Sequence, residues 1–280
     1  MTQPRDDGYF GPDSVTWRVH VHRSMLIGGI RALLLQALNP RAMAAVADFS
    51  SYKSAPWERL TSTSLYLIET VFGDRRTAEA AGERVRHIHR AIRGVDSFSG
   101  LPYSAEDPEL LVWIHAAEVD SFLEGYRHFG EAISDEDADR YVAEMVRAAE
   151  LVGLDAADVP SSVAGLRDYL DNQELVASPA AREALWFILK PPVPWPGGRW
   201  PAIPGGRLVF EIPARLGWAL PSGAAASILP PRARRAYRLP NLELSRPFFR
   251  VAMPAFYVAM RAAAGPPPGL DTLRARGLAA

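Results

Sequence analysis

Apolar residues recur along most of the chain at helical spacing, and helix stop and start signals separate them. Ser14 is placed to cap a first segment that runs through Trp17 and His20. Met25 to Leu38 forms a second, strongly apolar segment that stops at Asn39-Pro40, because the residue before a proline is pushed out of the helical region. Gly28-Gly29 lowers its helix propensity. Either the helix begins after this pair, or another element packs closely against its backbone.

The same signals predict six further helices before residue 191. Glycines follow the segments Glu58 to Phe72 and Arg75 to Arg93, and Gly94 is the expected C′ residue of the second one. Asp107-Pro108 supplies a cap and a proline at N1 for an apolar helix that ends at Phe129. The last three segments begin at serine caps, which are Ser134, Ser161 and Ser178. The first of these segments ends at Val152 and the third ends at Lys190.

The chain changes character after Lys190. Pro191 to Gly206 is its densest stretch of proline and glycine and is predicted to be a loop. Helical patterns resume near Arg207–Leu220, near Pro231–Tyr237 and in SRPFFRVAMPAFYVAMRAA, where Pro254 is expected to interrupt a regular helix.

No Asn-Gly hairpin signal lies between alternating runs, so little or no sheet is expected. The pattern therefore predicts an all-α protein with one large helical domain over residues 14–262. Residues 1–13 and 263–280 are expected to be flexible termini.

Composition narrows the classes of function. The 280 residues carry a net charge of -1, which offers no basic face for nucleic acid. The chain has no cysteine, which excludes disulfides, iron–sulfur clusters and a thiolate-ligated haem. Signatures of common hydrolases, P-loop enzymes and His-Glu-x-x-His metalloproteases are missing. The polar N-terminus is not a signal peptide, so a cytoplasmic location is expected.

Two histidines lie on the apolar sides of predicted helices. His89 lies between Val85 and Ile92 at helical spacing and can face inward, whereas His87 faces water. His115 lies on a stripe of apolar residues, and a buried imidazole needs a partner. Each could be an ordinary core histidine bonded to a carbonyl or a side chain.

Arg59 and Thr63 are four residues apart and share one face of a predicted helix. With Tyr66 and Thr70 they form a polar strip on an otherwise apolar segment. From the residues alone, a solvated helix face is the preferred interpretation of this strip.

The order of several motifs resembles one family. RALLLQALNP, PWERLTSTSLYL, VFGD, VRHIHRAIRG and YSAEDPELLVWIHA together resemble the family of latex-clearing rubber oxygenase and the ER-bound oxygenase of mycophenolic acid biosynthesis. The resemblance covers roughly Ser14 to Asn172 and is specific as a combination. The part after Lys190 matches only loosely.

The resemblance implies a globin-like helical core around a non-covalent haem b, with O2 and a small apolar or lipid-like substrate as partners. It implies that His89 is the axial iron ligand, with His115 as second choice or as a group behind the ligand. Arg59 and Thr63 match the Arg-x-x-x-Thr pair of the distal side. An apolar pocket would then be lined by Leu33, Leu34, Leu67, Leu111 and Trp113.

Two positions depart from the pattern of the family. Ser62 occupies the position of a distal lysine, which suggests a distal side that is open or closed by another group. Asn39 replaces the histidine of a His-Pro pair. These departures motivate an alternative, a non-catalytic haem- or lipid-binding helical protein. A helical interaction protein without a cofactor is a third hypothesis.

The segment Arg246 to Arg261 is rich in aromatic residues flanked by arginines, a composition also found in helices that lie on membranes. Apolar stripes are more often part of a core, so a packed C-terminal helix is the preferred interpretation.

Overall fold

The computed structural model describes residues 8–192 and 206–264. The structure is all-α, as predicted, and the described residues contain one two-stranded antiparallel sheet, β1 (Arg93–Val95) with β2 (Pro102–Ser104). The helices of the described ranges are α1 (Val15–Val21), α2 (Met25–Gln36), α3 (Pro40–Phe49), α4 (Pro56–Phe72), α5 (Arg75–His89), α6 (Pro108–Phe129), α7 (Asp135–Leu151), α8 (Val163–Asp171), α9 (Pro179–Leu189), α10 (Gly206–Ser227), α11 (Pro231–Tyr237) and α12 (Arg246–Ala264).

Side-chain caps fix most helix starts where the sequence predicts them. The hydroxyl of Ser14 accepts a hydrogen bond from the Trp17 amide at 3.0 Å, and that of Ser134 accepts from the Asp137 amide at 3.1 Å. Asp107 likewise caps α6. Each cap satisfies an amide that has no partner within the helix, so the helix begins there.

The predicted end of α5 is wrong. The helix ends at His89 with Arg90 as its C-cap, and Gly94 lies in β1, where it pairs with Tyr103. A Cβ atom on Gly94 would lie 2.6 Å from the Tyr103 hydroxyl. Glycine is therefore needed for the close approach of this ring, and not as a helix cap.

Helix α3 was not predicted. Asn39, interpreted as a stop for α2, is also the N-cap of α3, because its side chain accepts from the Ala42 amide at 3.1 Å. Pro40 then occupies the first turn, where its missing amide hydrogen costs nothing. The same dipeptide thus ends one helix and starts the next.

Pro254 does not interrupt the C-terminal helix, contrary to expectation, because α12 continues through it to Ala264. Met253 and Tyr257 are buried on its inner face. Their packing holds the helix together across the missing hydrogen bond. The predicted loop Pro191–Gly206 and the predicted flexible termini fall largely outside the described residues. Within the described ranges, none of the helices has the length and apolarity needed to cross a bilayer.

Helices α2 and α6 cross at the centre of the described core. At the crossing, a Cβ atom on Gly28 would lie 2.9 Å from the Phe122 ring, and one on Gly125 would lie 3.0 Å from the Gly28 backbone. The two backbones are therefore in direct contact. At the other end of α2, Trp113 of α6 is buried and donates to the Gln36 carbonyl at 3.0 Å.

A buried cation ties α2 to its neighbours. Arg31 is 2% exposed and forms an ion pair with Asp120 of α6 at 2.7 Å. It also donates to the Ser121 hydroxyl at 2.6 Å and to the Ile228 carbonyl at 3.0 Å, just beyond α10. A buried charge is tolerated only when it is paired and hydrogen-bonded in this way.

Candidate functional site

One face of α4 carries Arg59, Thr63 and Tyr66. The start of the helix is anchored by Trp57, whose indole donates to the Pro192 carbonyl at 2.9 Å and packs edge-on against Trp218 of α10. Arg59 donates from its guanidinium to the Thr63 hydroxyl, which itself donates to the Arg59 carbonyl at 2.9 Å. The two predicted site residues on this helix are therefore directly bonded to each other.

Arg59 lies on α4 at the point where this helix approaches His89 of α5. Its side chain is exposed to solvent, yet burial lowers the pKa of its guanidinium from the usual value. A side chain that is surrounded by protein but still reached by solvent shows both the exposure and the lowered pKa. This location differs from the flat, solvated helix face that the sequence also allowed.

His89 forms the last position of α5 and is half-buried, while His87 is exposed, as their helical positions predict. Burial lowers the pKa of the His89 imidazole, the charge of Glu106 opposes this, and the charge of Arg59 adds to it. The Nδ1 atom of His89 is buried and has no hydrogen-bond partner among the described residues. A buried polar atom without a partner is uncommon and calls for a bonding group.

His115 lies in the middle of α6. Burial lowers the pKa of its imidazole to about 4, and no hydrogen bond or charge contributes to this shift. It nevertheless keeps part of its surface accessible. The ring therefore favours its neutral form, and no hydrogen bond joins it to any residue that the structure describes.

Glu118 is a functional candidate that sequence reasoning missed. It follows His115 by one helical turn, and burial raises the pKa of its carboxyl to about 7. Its charge acts on the phenols of Tyr66 from α4 and Tyr141 from α7 and raises the pKa of both. The available signal was a carboxylate at i+3 from His115 inside an apolar helix.

These contacts place three helices around one cleft. Arg59 and His89 interact between α4 and α5, and Tyr66 and Glu118 interact between α4 and α6. Helix α4 packs mainly on α5 and α1, whereas α6 packs mainly on α2. Arg59, His89, His115 and Glu118 all keep some accessible surface, so solvent reaches the space between these helices.

The apolar residues predicted to line a pocket divide into two groups. Leu34 and Trp113 are fully buried in the packed core and cannot line open space. Leu33 is 40% exposed although it lies on the central helix α2, and Leu67 and Leu111 are half-buried. The last three remain available to contact a ligand.

The residues present fit a haem better than a bare metal ion. Within the described ranges, no group of three or more His, Asp or Glu side chains is placed to hold a metal. A haem iron needs a single axial side chain, and an imidazole is the common one where no thiolate exists. His89 and His115 could each supply it, because burial lowers the pKa of both imidazoles and so favours the neutral form that binds iron.

The structure defines a cysteine-free, all-helical protein in which ionisable side chains of α4, α5 and α6 come together. Its family follows from a direct comparison. The family model described as "ER-bound oxygenase mpaB/B'/Rubber oxygenase, catalytic domain" matches residues 17–262, and the chain belongs to this family. No curated protein and no solved structure matches the chain significantly.

Proposed function

We propose that the protein is a haem b-dependent oxygenase that acts on an apolar or lipid-like substrate with O2. The observation that carries this proposal is the cleft between α4, α5 and α6, in which burial lowers the pKa of two imidazoles and Arg59 is paired with Thr63. Membership of an oxygenase family supports it. We further propose that residues 14–262 form the haem-binding domain. The cytoplasmic location remains a prediction.

In this proposal His89 is the axial ligand. An imidazole binds iron only in its neutral form, and the nearby charge of Arg59 together with burial keeps the His89 ring neutral. His115, also neutral, is the second choice for this role. The bound haem would supply the activation of O2.

The remaining residues of the cleft would prepare the substrate. Arg59 places a fixed cation, and Thr63 a hydroxyl, where negative charge develops during the reaction. Glu118, with a pKa of about 7, can accept a proton from the substrate near neutral pH. Leu33, Leu67 and Leu111 offer an apolar surface that favours a hydrocarbon chain and excludes water.

A non-catalytic haem- or lipid-binding protein is the alternative, and one observation favours it. Asn39, which replaces a histidine of the family pattern, uses its side chain to cap α3. Ser62, at the position of the distal lysine, donates to the Glu58 carbonyl at 2.9 Å. Both side chains therefore serve their own helices and are engaged away from any ligand.

The test is a visible spectrum of protein purified after haem-supplemented expression. Wild type and His87→Ala should show a Soret band, and His89→Ala should lose it while keeping its helical circular dichroism. Loss in His115→Ala alone would move the ligand to α6. A folded wild type without a Soret band would refute the haem proposal.

Turnover separates the two candidate functions. Haem-loaded wild type should consume O2 and release an oxygenated product from an unsaturated lipid. Glu118→Gln should keep the Soret band and lose most of the turnover, because the amide cannot accept the proton. Haem binding without O2 consumption in wild type would favour the alternative.

A further inference from the structure

Helix α12 carries apolar side chains on two opposite faces. Its inner face is packed, because Met253 and Tyr257 are buried. Its outer face is open to solvent, with Phe248 61% exposed, Val251 80% exposed and Val258 65% exposed. A helix that only packs on a core needs one apolar face and is polar on the other. Packing within the described residues therefore does not explain the outer face.

The exposed apolar residues of this face form one continuous stripe. Phe248, Val251, Ala255 and Val258 are exposed and follow one another at spacings of three and four residues, which places them on the same side of the helix. Leu244, 96% exposed, extends the stripe just before the helix begins. Single exposed apolar residues are common on protein surfaces, but a contiguous stripe marks an interaction surface.

Arginines border this stripe along one edge. Arg250 and Arg261 are exposed and lie eleven positions apart, or about three turns of helix, so they share one side of α12. The Nε atom of Arg250 donates to the His128 carbonyl at 3.0 Å, which fixes the side chain at this edge. Helix α12 contains no acidic residue. The stripe is thus flanked by positive charge that no carboxylate of its own helix neutralises.

The surrounding part of the chain has the same sign of charge. Residues 207–264 contain nine arginines and only two acidic residues, a net charge of +7, although the whole chain has a net charge of -1. Arg235 and Arg238, in and directly after α11, are also exposed. Positive charge is therefore concentrated in the region that carries the exposed stripe.

This combination selects one kind of occupant. An apolar stripe bordered by arginines is typical of helices that lie in the interface of an anionic bilayer, where the apolar face enters the acyl boundary and the cations meet lipid phosphates. A second copy of the chain would bring the same arginines to the contact, and α12 offers no acidic residue to pair with them. A nucleic acid would satisfy the arginines and leave the apolar stripe uncovered.

We propose that the outer face of α12 binds the surface of an anionic lipid bilayer. Phe248, Val251 and Val258 enter the acyl boundary, and Arg250 and Arg261 contact lipid phosphates. The packed C-terminal helix favoured by the sequence and the membrane-binding helix are then two faces of one element. This proposal does not depend on bound haem, because none of these residues belongs to the cleft of α4, α5 and α6.

Flotation of the full-length protein with vesicles tests the proposal. Wild type should float with vesicles of phosphatidylcholine and phosphatidylglycerol in equal parts, and stay in solution with phosphatidylcholine alone. Val251→Asp and Val258→Asp should each weaken binding by about tenfold or more, because affinity scales with the apolar area that enters the bilayer. Arg250→Gln combined with Arg261→Gln should also weaken it by about tenfold or more. Added salt should reduce wild-type binding.

Two control variants locate the surface. Val95→Asp places the same charge at a 62% exposed valine of β1, and Arg76→Gln removes an exposed charge from α5. Both should float as wild type does, and all variants should keep the far-ultraviolet circular dichroism of wild type.

Three outcomes would overturn the proposal. The first is a wild type that stays in solution with the anionic vesicles or floats equally with neutral ones. The second is unchanged binding in both Val251→Asp and Val258→Asp. The third is a dimer in sedimentation experiments that Val251→Asp abolishes, without flotation of wild type, which would assign this face to a second copy of the chain.

Discussion

At the scale of single residues, burial changes the chemistry of ionisable groups more than sequence context reveals. Glu118 and the surface carboxylates of the chain look alike in sequence. Only the enclosure of Glu118 between α4, α6 and α7 raises the pKa of its carboxyl to about 7. The imidazole of His115, one turn earlier, moves in the opposite direction, to a pKa of about 4. Both shifts favour the uncharged form, as desolvation requires.

The pKa shift of Glu118 predicts a pH-dependent stability. Between its ordinary value of 4.5 and about 7, the folded protein holds a proton that the unfolded chain releases. The contribution of Glu118 to the free energy of unfolding is therefore fully present below pH 4.5. It is lost as the pH rises to 7, and the total loss is about 3 kcal/mol. Glu118→Gln removes this loss, so its gain in unfolding free energy over wild type should be larger at pH 8 than at pH 5.

Urea unfolding of both proteins at the two pH values measures the effect. Glu109→Gln, on the exposed first turn of the same helix, is the matched control and should show no such difference. A Glu118→Gln variant with the same relative stability at pH 5 and pH 8 would contradict the enclosure of this carboxyl.

At the scale of elements, close backbone contact explains one of the two adjacent glycines of α2. Gly28 faces α6, where any Cβ atom would collide with Phe122, but a Cβ atom on Gly29 would make only ordinary van der Waals contact with that ring, at 3.9 Å. The sequence left two explanations for this pair. The structure selects close packing, because α2 begins at Met25, before the pair.

The crossing of α2 and α6 predicts opposite effects for two similar substitutions. Gly125→Ala should destabilise the protein by about 1–3 kcal/mol, because its Cβ meets the Gly28 backbone, which cannot rotate away. Gly29→Ala should stabilise it by about 0.5–1 kcal/mol, because alanine has the better helix propensity and finds room.

Thermal and urea unfolding of the two variants would measure this contrast. Equal changes of the same sign would show that α2 and α6 are not in backbone contact at this point.

At the scale of the whole molecule, the segment before α1 contributes to the packing. Phe10 is 2% exposed and packs with Trp17 of α1 and with Val71 and Phe72 at the end of α4. The cluster therefore links the start of the described chain to the helix that carries Arg59 and Thr63. The sequence-based boundary at residue 14 would leave this ring out.

A chain that starts at residue 14 should accordingly lose about 3–5 kcal/mol of stability relative to the full-length protein, as expected for removal of a buried phenylalanine. Phe10→Ala in the full-length chain should reproduce most of this loss. Chemical denaturation of both proteins tests the prediction. A truncated protein as stable as the full-length one would show that Phe10 does not hold α4 in place.

The sequence by itself determined the fold class, most helix starts and the family. Serine, asparagine and aspartate caps, N1 prolines and apolar periodicity act over a few residues, so they are visible in one dimension. These signals gave wrong predictions in two situations. At Asn39-Pro40 one dipeptide both ends a helix and starts the next, and at Gly94 the glycine is needed for tertiary packing against Tyr103.

The tertiary structure alone decided which polar groups meet and which lack partners. Sequence placed Arg59 and Thr63 on one helical face, but the approach of α5 and α6 sets the enclosure of Arg59 and His89. The raised pKa of Glu118 and the unpaired hydroxyl of Tyr257 have the same origin. The physical reason is that desolvation and charge depend on neighbours in space, and those neighbours lie far apart along the chain.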